Sequence, residues 1–388
     1  MTILRQIYPH IEKQLKTTSV GKKAAIILYG PRQVGKTTVV KKITREFGTK
    51  AAYFNCDFPD VREQFAYDNV QNLGSLLKGI ELLNLDEAQR IENIGLVLKI
   101  LIDNYPDMQI MATGSSSFEL SNQINEPLTG RKVIFHLYPF SFLELYGAEN
   151  LIEQKRHIPF LLRFGSYPDV VLNGEQDAPS RLRELTDSYL FKDVFAFQQL
   201  RKSEILVRLL RLLAFQISSE VSFQELAQQL GVDQTVVQKY INLLEEAFVI
   251  FRLGAFKKNL RTEISKSRKI YFWDLGIRNA LISNFNSLTL RDDVGALWEN
   301  FCIVERLKQL HNHQQYPNTY FWRTYQQKEI DYIEEANGAI DAYEFKWNPN
   351  KRTSLPNEFI EAYQPRMTKI ITPDNFVEWL TTTPSIIT

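Results

Sequence analysis

The stretch GPRQVGKTT, Gly30 to Thr38, decides how the first third of this 388-residue chain is read. It satisfies G-x-x-x-x-G-K-[ST], with Gly30, Gly35, Lys36 and Thr37 at the fixed positions. The apolar run AAIILYG precedes it and the helical pattern KTTVVKKITREF follows. In that strand–loop–helix setting the loop curls its backbone amides around phosphate oxygens. Glycine permits the curl, and the helix start turns its positive end toward the anion. Pro31, Arg32, Gln33, Val34 and Thr38 would complete the cradle. Lys36 would bridge the β- and γ-phosphates of a nucleotide, and Thr37 would ligate Mg²⁺.

Outward from the loop, KAAYFNCD, IELLNLDE, MQIMATGS and KVIFHLYP read as further strands, with a helix at IGLVLKILIDNY. This alternation predicts an α/β fold with a parallel sheet covered on both faces. IELLNLDEAQ ends in Asp86, expected to hold Mg²⁺ directly or through water, and Glu87, expected to position and polarise an attacking water. Asn84 interrupts the apolar run. The strand at MQIMATGSSS ends in Thr113, Gly114 and Ser115. Ser115 is the expected γ-phosphate sensor, with a plain turn as the alternative. Arg131, in PLTGRKV, stands where an arginine finger acting on a neighbouring copy would sit, which implies a homo-oligomer; an ordinary surface arginine is the alternative.

Composition narrows little: 46 basic residues face 45 acidic ones, and 44% of the chain is hydrophobic, as in ordinary folded proteins. Charge is unevenly placed, however. Residues 1–50 carry eleven basic residues against two acids, and KKNLRTEISKSRK (257–269) carries six against one. Each run suits either a polyanion or a solvated face. Cys56 and Cys302 match no zinc or redox spacing. With no apolar run of about eighteen residues and no signal-peptide centre, a cytoplasmic protein without membrane contact is expected.

After PFSFLEL (139–145) the pattern turns helical to about residue 250, then alternates again. Four parts are expected: a core over 1–140, a helical part over 141–203, a winged helix over 204–256, and an α/β part over 257–388. In SFQELAQQLGVDQTVVQKYINLLEEAFVIFRL, Val237, Tyr240, Ile241, Leu244 and Phe248 would face a core. Gln234, Thr235, Gln238, Lys239 and Asn242 would face outward, shaped for a DNA major groove or for a protein partner. A single cation on that face is weak for DNA, so the 257–269 run would have to add charge as a wing.

IDAYEFKWN (340–348) sets Glu344 and Lys346 on one face of a strand. EIDYIE before it supplies Asp331, across a hairpin marked by Asn337-Gly338, and LWENFCIVERL supplies Glu299, with Glu305 as a substitute. One reading is a cross-strand ion pair. The other resembles restriction-endonuclease-like nucleases: Asp331, Glu344 and Glu299 hold Mg²⁺, and Lys346 orients or deprotonates the water.

The succession LYGPRQVGKTT, LNLDEAQ, ATGSSS, LTGR, LYPFSFLEL, GSYPDVV resembles a family of bacterial and archaeal AAA+-type ATPases with a C-terminal domain of unknown function. The likeness runs from about Arg5 to Lys346. It implies ATP as the nucleotide, an AAA+-like core, a helical lid over 141–203, and a place for GSYPDVV in that lid against the nucleotide. Two functions follow as expectations: an ATPase whose nucleotide state controls DNA engagement and cleavage, or a regulatory ATPase whose distal parts bind proteins.

Overall fold

The computed structural model describes residues 3–16, 24–114, 124, 127–187, 203–257, 268–324, 326–350 and 354–382. The chain divides into two compact units, one of Met1–Pro139 with Glu246–Phe248, the other of Phe140–Glu245 with Val249–Thr388.

In the first unit, β1 (Ala25–Tyr29), β2 (Ala51–Asn55), β3 (Leu82–Asp86), β4 (Gln109–Gly114) and β5 (Lys132–His136) form one sheet in the order β2-β3-β4-β1-β5. Every pairing is parallel. The expected strands all form. β1, β3 and β4 are buried at every residue, whereas β2 and β5, at the edges, are mostly half-buried. Burial on both faces of the inner strands accounts for their unbroken apolar runs. Because β4 lies between β1 and β3, the end of β4 falls beside both the phosphate-binding loop and Asp86. In open α/β sheets the carboxyl ends of the strands are where ligands bind.

The second unit begins with helices Phe142–Tyr146, Leu151–Phe164, Pro168–Asn173 and Ala178–Leu185. Three more follow, Ser203–Phe215, Phe223–Leu230 and Gln234–Glu246. The Ser222 hydroxyl caps the second of these by accepting from Glu225 N, and left-handed Gly231 (φ 66°) ends it. β6 (Ile250–Ala255) and β7 (Arg268–Phe272) then pair antiparallel, giving the element order of a winged helix. β6 also pairs parallel with β8 (Asn318–Arg323) at Gly254 and Ala255. β9 (Glu329–Ala336), β10 (Ala339–Phe345) and β11 (Met367–Ile371) complete a six-stranded sheet, β11-β10-β9-β8-β6-β7. The boundary expected at residue 257 therefore falls inside a continuous sheet.

Alternate residues of β10 face opposite layers. Ala342 packs in a cluster with Trp322, Ile330 and Phe359, while Tyr343 meets Trp379 edge-on. The helix Val294–Asn312 is buried along most of its length, which explains its lack of a clear polar face.

GSYPDVV takes its place in this unit through Gly165 and Ser166. Ser166 N donates to Asp274 Oδ2 (2.7 Å), and Lys308 Nζ lies 3.1 Å from Ser166 Oγ and 2.8 Å from Glu305 Oε1. A Cβ at Gly165 would stand 2.1 Å from Asp274 Oδ1. Gly165→Ala should therefore lower the urea stability of this unit by about 1–3 kcal/mol through overpacking, added to the strain of its positive φ. Gly174→Ala, also at positive φ but with nothing within 4 Å, should show only the strain of a conformation open to little but glycine, about 1–3 kcal/mol. Equal losses at the two positions would contradict the Asp274 contact.

Candidate functional site

The helix Lys36–Phe47 begins directly after Gly35, whose φ of 96° only glycine adopts readily. Gly30 is fixed for another reason: a Cβ there would stand 2.0 Å from the carbonyl oxygen of Leu137. Sequence reasoning assigned both glycines to the loop's curl, and only Gly35 answers to that. Lys36, 5% exposed, folds its ammonium back onto the carbonyl oxygens of Gly30 (2.9 Å) and Pro31 (2.8 Å). The Arg5 guanidinium braces the loop, donating to Val34 O (2.7 Å) and to Tyr138 O (2.6 Å). No motif singled out this role for Arg5; its guanidinium is buried, and the partners lie 29 and 133 residues away.

Asp86 is the focus of the site. Its Oδ2 accepts from Thr37 Oγ1 (2.8 Å) and from Tyr53 OH (2.7 Å), and its Oδ1 accepts from Thr113 Oγ1 (2.5 Å). Burial, together with the bond to Asp86, raises the Tyr53 phenol well above its ordinary range. Thr113 also accepts from Glu87 N (3.1 Å). Thr113 is thus the polar residue that the end of β4 contributes among those described, while Ser115 lies outside the described residues. Glu87 adopts a left-handed conformation (φ 55°), a strained geometry that clusters at functional sites. Its Oε2 accepts from Gln89 Nε2 (2.6 Å). Thr37 and Asp86 supply the hydroxyl and carboxylate oxygens that suit Mg²⁺. Arg131 is half-buried and ion-paired with Asp103 (2.5 Å).

Residues 22–146 match the AAA domain family. Downstream of this AAA domain, two further domain families of unknown function match, DUF8612 over 155–288 and DUF4143 over 294–386. The chain is 29% identical over 340 residues to the uncharacterized protein Rv2008c of Mycobacterium tuberculosis, covering 86% of this chain and 71% of that one. It is 27% identical over 301 residues to MJ1544 of Methanocaldococcus jannaschii, covering 72% and 65%. Among solved structures it is similar to the Aeropyrum pernix ORC1 protein in complex with DNA, at 15% identity, covering 73% of this chain and 93% of that one (TM-score 0.35). A second is AMPPCP-bound DnaA from Aquifex aeolicus, at 17% identity, covering 62% and 87% (TM-score 0.29).

In the second unit, Lys346 Nζ lies 2.5 Å from Glu344 Oε1 and 3.9 Å from Asp331 Oδ2, so these three come together as the sequence suggested. Asp331 Oδ2 also accepts from Phe345 N (2.8 Å), while Glu344 Oε2 is buried without a partner. Glu299 is engaged differently, by Lys269 Nζ (3.0 Å) and Tyr271 OH (2.7 Å). Among the described residues, no group of three or more His, Cys, Asp or Glu side chains is arranged to hold a metal ion. Asp331 lies near enough to both Glu299 and Glu344 to raise their carboxyls, so the three acids share one cluster, in which Glu299 Oε1 is taken up by Lys269 and Tyr271. Glu305 belongs to a separate network, with Lys308 and with Phe142 N (2.6 Å).

Burial pushes Glu299 up to about 8 against the pull of Lys269, and burial with Asp331 nearby pushes Glu344 up to about 7. Burial also raises Asp331. A carboxyl raised in the folded state favours folding when protonated. Its stabilising effect is complete below the unfolded value near 4.5 and is lost as pH climbs through the folded one. Urea stability of the second unit should thus fall between about pH 4.5 and pH 7 on account of Glu344, and Glu344→Gln should flatten that slope. An unchanged slope in the variant would contradict the burial of Glu344.

Proposed function

We propose that the chain binds ATP with Mg²⁺ and hydrolyses it at the phosphate-binding loop, the nucleotide state governing engagement of DNA by the second unit. The observation that carries the ATPase reading is the convergence of Thr37, Asp86 and the buried Lys36 at the end of β1 and β3. On nucleotide binding, Lys36 would turn from the carbonyls of Gly30 and Pro31 to phosphate oxygens. Thr37 and Asp86 would hold Mg²⁺, which offsets phosphate charge when bound. Glu87 would orient water and take its proton, with Gln89 holding the carboxylate until then. Thr113 fixes both Asp86 and the backbone of Glu87, so it positions the metal ligand and the base together.

For DNA engagement, support comes from the face of the helix Gln234–Glu246. Gln234, Thr235, Lys239 and Asn242 are exposed there. Arg252 Nη2 donates to Asn242 Oδ1 (3.0 Å), and Arg268 Nη1 lies 3.3 Å from Gln238 Oε1. The hairpin thus brings the Arg268 guanidinium to a face that carries one lysine of its own, adding phosphate-neutralising charge of the kind DNA affinity needs, while Arg252 is ion-paired with Glu245. Most of the 257–269 basic run, residues 258–267, lies outside the described residues. Among those described, no helix is long and apolar enough to cross a membrane. The second reading, a regulatory ATPase whose distal part cuts nothing, is favoured by the Lys269 contacts in the acid cluster.

Lys36→Ala should weaken ATP binding about 100-fold, the equivalent of about 3 kcal/mol. Glu87→Gln should leave binding near the parent value while kcat falls about 10²–10⁴-fold. Calorimetry and a phosphate-release assay read the two effects, and unchanged affinity in Lys36→Ala overturns the ATPase reading. On DNA, log affinity should fall with log salt, with the slope reduced by about 1 in Arg268→Ala. Salt-independent binding contradicts phosphate contact.

A further inference from the structure

The lysine that ends the 257–269 basic run lies within the acid cluster of the second unit. Lys269, on β7, is 2% exposed. Its ammonium pairs with Glu299 Oε1 (3.0 Å) and Glu329 Oε1 and lies 5.5 Å from the centre of the Phe321 ring. Its backbone is fixed on both sides, paired with Leu253 of β6 and bridged to Glu220. The same Oε1 of Glu299 accepts from Tyr271 OH. On the other side of the cluster, Lys346 serves Glu344 and Asp331, and Arg323 lies 3.7 Å from Glu329 Oε2.

We propose that Lys269 is the resident cation of this cluster, which is held together by side-chain cations where the nuclease-like pattern calls for a divalent metal. Mg²⁺ demands several oxygens at about 2.0–2.1 Å in near-octahedral array. Glu299 is turned instead toward an ammonium and a phenol. Removing one partner from a buried ion pair leaves an uncompensated charge at high cost, so a metal entering here would have to displace Lys269 from two carboxylates. The Lys269 ammonium is held there by its ion pairs with Glu299 and Glu329 and by its burial, on a backbone paired on both sides. The cluster then acts as a fixed joint between the hairpin and the helix Val294–Asn312, independent of metal supply and of the ATP site.

The test is Mn²⁺ binding followed by electron paramagnetic resonance, without nucleotide and with Asp86→Asn in every protein to remove the carboxylate of the nucleotide site. The chain carrying only that change should show a titration that a further Asp331→Asn leaves unaltered. Lys269→Met should gain a Mn²⁺ site that Asp331→Asn removes. Uptake of Mn²⁺ with Lys269 present, lost on Asp331→Asn, overturns the proposal, and so does a folded Lys269→Met chain that gains no site. Should Lys269→Met fail to fold, the Asp331 comparison alone decides.

Discussion

The carboxylate of Asp86 is the constraint on which the nucleotide site depends. Three hydroxyl groups converge on it, from the helix start, from β2 and from β4. A buried carboxylate without donors would be unstable, so these bonds hold the ends of the strands and the start of the helix in one geometry. The strand order makes this convergence available: with β4 between β1 and β3, Thr113 reaches Asp86 and the backbone of Glu87 together. The strained Glu87 is tolerated because both its amide and its side chain are tied.

The second unit depends on a different kind of constraint. Buried charges there are matched in pairs and networks: Arg306 with Glu334, Lys308 with Glu305, Arg278 and Arg291 with Asp293. Many join segments far apart in sequence, as Lys308 does in reaching Phe140 O. Such networks contribute little net stability compared with apolar packing but penalise any arrangement that separates the partners. The sheet that carries the winged-helix hairpin is the same sheet that carries Asp331 and Glu344, so the hairpin and the acid cluster share one framework.

The five strands of the first unit were legible because inner parallel strands are buried on both faces and read as apolar runs. The loop was legible because its residue types are set by local chemistry. Arg5, Tyr53 and Lys269 were not, since each acts on partners distant in sequence, and Lys269 stands at the end of a run that reads as a basic surface. β11 escaped notice because MTKII is short and only partly buried. Gly30 meets a constraint that the motif does not contain, the close approach of the Leu137 carbonyl, which is a tertiary fact. Glu299 matched the nuclease-like pattern by type and spacing, yet its side chain answers to Lys269 and Tyr271.

The most direct test of the account is the Mg²⁺ dependence of ATP affinity in Asp86→Asn. If Asp86 is the metal-holding centre that Thr37, Tyr53 and Thr113 arrange, the parent should bind ATP more tightly with Mg²⁺ than with EDTA, and the variant should show no such gain while still binding ATP. An equal gain from Mg²⁺ in parent and variant would contradict it.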